Sequence, residues 1–281
     1  LKADKCFWYL VNYECVNGEW KYADSAPRDL AITRPDGSTS LITQHPPAFS
    51  KKTLGIHDSP SGGNSAHLAY IKEKVSAWVG RMTNGHLPGH MAWVAYRHQL
   101  WPGVRYGLGT MTNDLEVTDR LLHEEDYRTL NVLGIVRSVP TGLRHLHSSF
   151  RGYGLFNLPV EQLICRVNIL MQHYHNSTSL SRKLDASLRY LQLQLGTPHN
   201  PLLLDYEVWG HLAPLSWVKM LWRTLHYFDI HLYMSYPSIP PPRERDLVLM
   251  EIFASLDLNR ETVLSLNFFS EERVTWNDYT N

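Results

Sequence analysis

Cysteine is scarce in this chain: Cys6, Cys15 and Cys165 are the whole set. An odd, sparse set builds no disulfide framework and suits a reducing compartment. Long apolar runs are missing too. None reaches the roughly 18–20 residues that would span a bilayer, so no membrane partner is expected. No charged-apolar-small leader precedes the first strand, and the expected setting is intracellular, cytoplasm and nucleus, rather than secreted. Ser, His and Asp are present without a Gly-x-Ser-x-Gly elbow, which argues against a hydrolase. There is no P-loop, no dinucleotide fingerprint and no internal repeat of fixed period.

Fifteen histidines raise the question of a metal, and their spacing answers it. His86 and His90 stand at i, i+4, but Pro88 and Gly89 between them spoil a helical pair. His145-x-His147 and His173-x-His175 have no cysteine or carboxylate at ligand spacing. No metal site is expected, and no cofactor.

What is present is a core and a segregated charge pattern. With 281 residues and 43% hydrophobic content, the chain can hold one large domain or two ordinary ones. It opens without Met, on residues that read as the interior of a strand, so it is expected to be a fragment. Net charge is zero, but its distribution is uneven. Residues 50–110 carry Lys51, Lys52, Lys72, Lys74, Arg81, Arg97 and Arg105 against only Asp58 and Glu73. Residues 128–160 carry Arg128, Arg137, Arg144 and Arg151 and no acid, while acids gather in residues 114–126 and after Glu244. Such segregation fits a basic groove with acidic outer walls; an ordinary surface of interspersed charge is the other reading.

The first 58 residues read as β. Cys6 to Tyr13 is aromatic and β-branched, and Asn17-Gly18 is a hairpin turn before Glu19-Trp20-Lys21-Tyr22. A second hairpin is expected around Pro35-Asp36-Gly37, joining Leu30–Thr33 to Ser40–Thr43, and a strand over Thr53–His57 closes the region. At Ser59 the apolar period changes from two to 3.6. Leu68, Ile71, Val75, Trp78, Val79 and Met82 share one helical face. A second helix is expected from Pro88 through Met91, Val94, Ala95 and His98, and a third over about Asp114–Leu133. Beyond Gly152-Tyr153-Gly154 come three further stripes, led by Leu163, Leu180 and Leu215. The fold class is therefore α+β: N-terminal antiparallel hairpins, then a mainly α-helical body.

Two segments carry chemistry. In Lys51-Lys52-Thr53-Leu54-Gly55-Ile56-His57-Asp58, two basic residues run into a short strand whose glycine allows another backbone to come close. Backbone amides and lysines together suit a phosphate, while a buried strand with two exposed lysines is the alternative. Arg81, Arg97 and Arg105 are interleaved with Trp78, Trp93, Tyr96, Trp101 and Tyr106. That mixture suits a duplex backbone or unpaired bases, and tryptophans buried in a core are the other reading.

In sequence order, Lys5-Cys6-Phe7-Trp8 followed by Lys51–Asp58 resembles the last two palm motifs of reverse transcriptases, those of non-LTR retrotransposons and retroelement-like genes above all. His90-Met91-Ala92-Trp93-Val94-Ala95-Tyr96-Arg97 through Leu100-Trp101-Pro102 looks like the thumb helix of these elements. Gly152-Tyr153-Gly154-Leu155 resembles the segment downstream of their thumb, whereas residues 196–281 resemble nothing named. The resemblance implies a partial palm with a hairpin insertion over 1–58, a thumb-like unit over 59–150 and a C-terminal helical region over 151–281. Lys5 would be the motif lysine near the incoming nucleotide's phosphates, with Lys2 a competitor for that role. Thr53, Leu54, Gly55, Ile56, His57 and Asp58 would form the primer grip, and Lys51, Lys52, Arg81, Arg97 and Arg105 would touch nucleic acid.

The implied partners are an RNA template, a DNA primer and the upstream palm and fingers of the same polyprotein. Nucleotidyl transfer needs palm carboxylates that hold two divalent ions. No Tyr-x-Asp-Asp occurs here, and Asp24, Asp29 and Asp36 lie in the hairpin insertion. The chain alone is thus expected to be inactive, with Mg2+ bound only in the complete polymerase. Two alternatives remain open: a non-catalytic nucleic-acid-binding or protein-interaction module derived from a retroelement, and an unrelated enzyme.

Overall fold

The computed structural model describes residues 6–17, 19–23, 28–33, 36–174, 176–197, 199–234, 249–256 and 258–267. Lys2 and Lys5, the two candidates for the motif lysine, lie outside them. The chain divides into two compact units, Leu1–Gly107 with Glu124–Gly134, and Leu108–His123 with Ile135–Asn281. The coarse class is α+β, with small sheets first and helices after.

Unit 1 opens on β1 (Phe7–Tyr9), β2 (Tyr13–Val16) and β3 (Glu19–Tyr22), then β4 (Leu30–Thr33), β5 (Thr39–His45), β6 (Lys51–Thr53) and β7 (Ile56–Asp58). The β2–β3 and β4–β5 hairpins form where the turn residues place them. Asn17 has φ 55° and Gly37 φ 81°, and the Asp36 carboxylate accepts from the Ser38 amide at 2.9 Å. Two details differ from the sequence reading. β1 pairs with β5 in parallel, Phe7 opposite Thr43 and Tyr9 opposite His45, so the region is not purely antiparallel. The hairpin and loop between these strands supply the long crossover that a parallel pair requires. The expected strand Thr53–His57 is instead a tight hairpin, β6 and β7 joined by Leu54-Gly55.

Helix α1 (Ser65–Gly85) buries Ile71, Val75, Trp78 and Val79 on the stripe its sequence marks. The next segment departs from expectation. Helix α2 (Gly89–Ala95) runs through a π-helical turn, Tyr96–Leu100, into α3 (Trp101–Arg105). It buries Ala92, Tyr96, Leu100, Trp101 and Val104, and leaves Met91 and Val94 exposed. In the π turn the Trp101 amide donates to the Tyr96 carbonyl five residues back. One extra residue enters the helix just before Pro102, which has no amide to donate, and the buried face shifts. Tyr96 thereby sits 6.0 Å from the Trp78 ring and 6.1 Å from Trp101.

The third expected helix is broken at Leu122 into α4 (Leu115–Leu121), in unit 2, and α5 (His123–Val132), nearly all in unit 1. No proline or glycine marks the break, so the sequence reads as one helix. Unit 2 continues with a 3-10 turn at Leu108–Thr110 and with α6 (Thr141–His145), α7 (Leu158–His173) and α8 (Ser179–Leu195). Then come α9 (Tyr206–Trp209), α10 (Trp217–Tyr227), α11 (Leu249–Ser255) and α12 (Arg260–Asn267). Asn157, Thr178 and Ser216 cap α7, α8 and α10 through their side chains. Leu163, Leu170, Leu184, Leu188, Leu191, Leu195, Leu221, Trp222 and Leu225 meet in one core. None of the described helices is long and apolar enough to cross a membrane.

Candidate nucleic-acid interface

The β6–β7 hairpin is the nucleus of the candidate site. Leu54 and Gly55 both have positive φ, 51° and 93°, as a two-residue type I′ connection demands. Gly55 is therefore needed for its backbone angle. Within the chain a Cβ there would meet only the Tyr106 ring, at 3.7 Å, an ordinary contact. Leu54 takes the left-handed angle without that freedom and stands 86% exposed at the tip. Across the hairpin Lys51 faces Asp58, Lys52 faces His57 and Thr53 faces Ile56.

Lys52 and His57 meet residues of α1 that the sequence reading did not single out. The Lys52 ammonium lies 4.2 Å from the centre of the Tyr70 ring, and the Lys74 ammonium lies 5.6 Å from it. The His57 ring is 5.2 Å from Tyr70 and 6.5 Å from the ring of His67. Gly103 and Gly107 flank Arg105 and complete the packing: a Cβ at Gly103 would collide with Lys74 Nζ, and one at Gly107 with His67 Nε2. Tyr70-x-x-x-Lys74 at i, i+4 was the available signal, since that spacing puts both on one helical face.

The lysine charges around Tyr70 and His67 bias both groups. Hydrogen bonding from Lys52, with the charges of Lys74 and Lys52 behind it, holds the Tyr70 phenol below its ordinary value. Burial lowers the pKa of His67 first, and repulsion from a protonated His57 and from Lys74 and Lys52 lowers it further. His67 Nδ1 accepts from the His57 amide at 3.3 Å, which puts the proton of the neutral ring on Nε2. Two ammonium groups on one phenol ring concentrate positive charge at this face of α1.

His67 gives a testable pH dependence. Its native-state value lies below that of the unfolded chain, so the unfolded state binds more protons as pH falls. The contribution is complete above about pH 6.5 and is lost as pH drops through the native value. Between pH 7.5 and 5.5 the urea midpoint of the native chain should fall further than that of His67→Gln. Equal falls in the two proteins would contradict the assignment.

The other sequence-predicted residues are more scattered. Lys51 is half-buried, its ammonium 5.8 Å from the Phe7 ring. Arg97 is exposed and lies 5.3 Å from the Trp93 ring. Arg81 is exposed near the end of α1, and Arg105 is exposed at the end of α3. Trp78, Tyr96 and Trp101 are core residues, whereas Tyr106 is 61% exposed. Among the described residues, no group of three or more His, Cys, Asp or Glu could hold a metal ion. His145 and His147 instead bond locally, to the Leu155 carbonyl at 3.1 Å and the Ser149 hydroxyl at 2.8 Å. No protein-family model, curated protein or solved structure matches this chain.

Proposed function

We propose that unit 1 binds nucleic acid, gripping the phosphate backbone of an RNA–DNA or RNA duplex with Lys52, Lys74 and the β6–β7 hairpin. The observation that supports this reading is the convergence of both ammonium groups on Tyr70, beside His57, with Arg105 at the end of the neighbouring α3. Mobile surface lysines scattered over an ordinary helix do not share one aromatic anchor. Taken with the resemblance, the chain serves as terminal palm, thumb and downstream helices of an RNA-directed DNA polymerase. Its role is that of a primer–template clamp. The catalytic carboxylates and their Mg2+ then belong to the upstream palm, and the chain alone extends no primer.

Phosphate contacts release counterions, so binding should weaken steeply with salt. Titration of an RNA–DNA hybrid by fluorescence anisotropy, from low to physiological salt, should give a linear fall of log affinity with log salt. Alanine at Lys51, Lys52, Arg97 and Arg105 together should flatten that slope by up to about one unit per lost phosphate contact. An unchanged slope would remove this segment from the nucleic-acid surface.

A further inference from the structure

Unit 2 contains a cavity of about 360 Å³ that the nucleic-acid reading does not use. Four segments build it: the Leu108–Thr110 turn, the C-terminal half of α7, the first half of α8 and the start of α10. Its walls are mainly apolar, with Ile169, Leu184, Trp217 and Val218 among them. Its shape is fixed from two sides. Trp217 Nε1 donates to the Gly109 carbonyl at 2.6 Å. A Cβ at Gly109 would collide with Ile169 Cδ1, so the turn lies hard against α7.

Lys183 is the one Lys, Arg, Asp or Glu among the described residues that line this cavity; the other polar lining groups are Thr110, Ser187, Ser216 and His173, whose buried Nδ1 has no hydrogen-bond partner among the described residues. The nearest acid in sequence to Lys183, Asp185, is already paired with Arg189 at 3.0 Å. Lys183 itself has no ion-pair partner among the described residues. The first turn of α10, Trp217 and Val218 after the Ser216 cap, adds the positive end of an eleven-residue helix to the same wall. At about 30 Å³ for each water-sized group, the volume holds roughly a dozen heavy atoms. An apolar slot of that size with a cation at its wall is the form of a small-molecule site.

We infer that this cavity binds an amphiphilic carboxylate, its chain or ring against Ile169, Leu184 and Trp217 and its head on Lys183. The inference is independent of nucleic-acid binding in unit 1. Decanoate has about the right number of heavy atoms and serves as the probe. Calorimetry on the full chain should show one saturable decanoate site, with the neutral decanamide at least about tenfold weaker. Lys183→Met should weaken decanoate by about tenfold or more and leave decanamide unchanged, while Lys183→Arg should restore most of the loss. Ser187 is exposed and lines the cavity, so Ser187→Phe should block both probes with the helical circular dichroism unchanged. Absence of saturable decanoate binding by the folded chain would overturn the proposal. Binding of many equivalents, or binding indifferent to both Lys183→Met and Ser187→Phe, would overturn it equally.

Discussion

Arg166→Ala should cost about 3–5 kcal/mol of stability in unit 2, measured by urea unfolding followed through tryptophan fluorescence. Arg166 lies on α7 and is 1% exposed. Its Nη2 donates to the Met111 carbonyl at 2.8 Å, and its Nη1 donates to the Thr224 hydroxyl at 3.1 Å and the Met220 carbonyl at 3.4 Å. One guanidinium thus ties α7 to α10 and to the loop before α4. Among the described residues no carboxylate pairs with it, and burial pulls its pKa down to about 10. It therefore stays charged at neutral pH and is held by neutral oxygens alone. Alanine leaves a cavity and strips donors from three buried oxygens. Arg166→Met keeps most of the volume and removes the desolvated charge, so it should lose clearly less than alanine. Equal losses would show that the hydrogen bonds carry the whole effect and the packing carries none.

The second large effect is expected at Gly152. The Gly152-Tyr153-Gly154-Leu155 segment folds back on the turn after α6. The Tyr153 amide donates to the Leu143 carbonyl at 3.0 Å, that of Gly154 to Leu146 at 2.9 Å and that of Leu155 to Arg144 at 2.8 Å. A Cβ at Gly152 would collide with the Leu146 carbonyl, which is backbone and already engaged by Gly154. Gly152→Ala must therefore displace the whole turn and should cost about 2–3 kcal/mol. Gly134 has φ 73° and open space where a Cβ would stand, so alanine there meets only the left-handed penalty, about 1 kcal/mol. A reversed order, measured by urea midpoints of the two variants, would contradict this account of the motif.

Much of this architecture was readable from local chemistry. Asn17 and Asp36-Gly37 announce their hairpins because positive φ and side-chain-to-backbone bonds are local properties. The α1 stripe and the leucines of α8 follow from period 3.6 alone. What was not readable depends on contacts distant in sequence or on a change of phase. The parallel pairing of β1 with β5 is not written in either strand. In α2 the buried side is that of Ala92, not of Met91 and Val94, and the π turn at Tyr96–Leu100 then changes the phase of the residues after it. At the candidate site the lysines of the hairpin were legible and Lys74 counted in the basic segment, but nothing in the sequence set Lys74 beside Tyr70 and Lys52, because that meeting joins α1 to a hairpin distant from it in the chain. Gly55 was legible as a glycine position, and the observed turn adds a backbone angle that the strand reading did not contain. Arg166 gave no signal, because one arginine in an amphipathic helix normally points to water.

The most direct test of the nucleic-acid reading is lysine footprinting on the full chain. Lys52 and Lys74 converge on Tyr70 in unit 1, while Lys183 is exposed in unit 2 and serves as the internal control. Brief acetylation, with and without a saturating RNA–DNA hybrid at low salt, would be read by peptide mass spectrometry. The account predicts that the hybrid protects Lys52 and Lys74 several-fold relative to Lys183, and that the protection fades as salt is raised. Equal modification of all three lysines with the hybrid bound would contradict it.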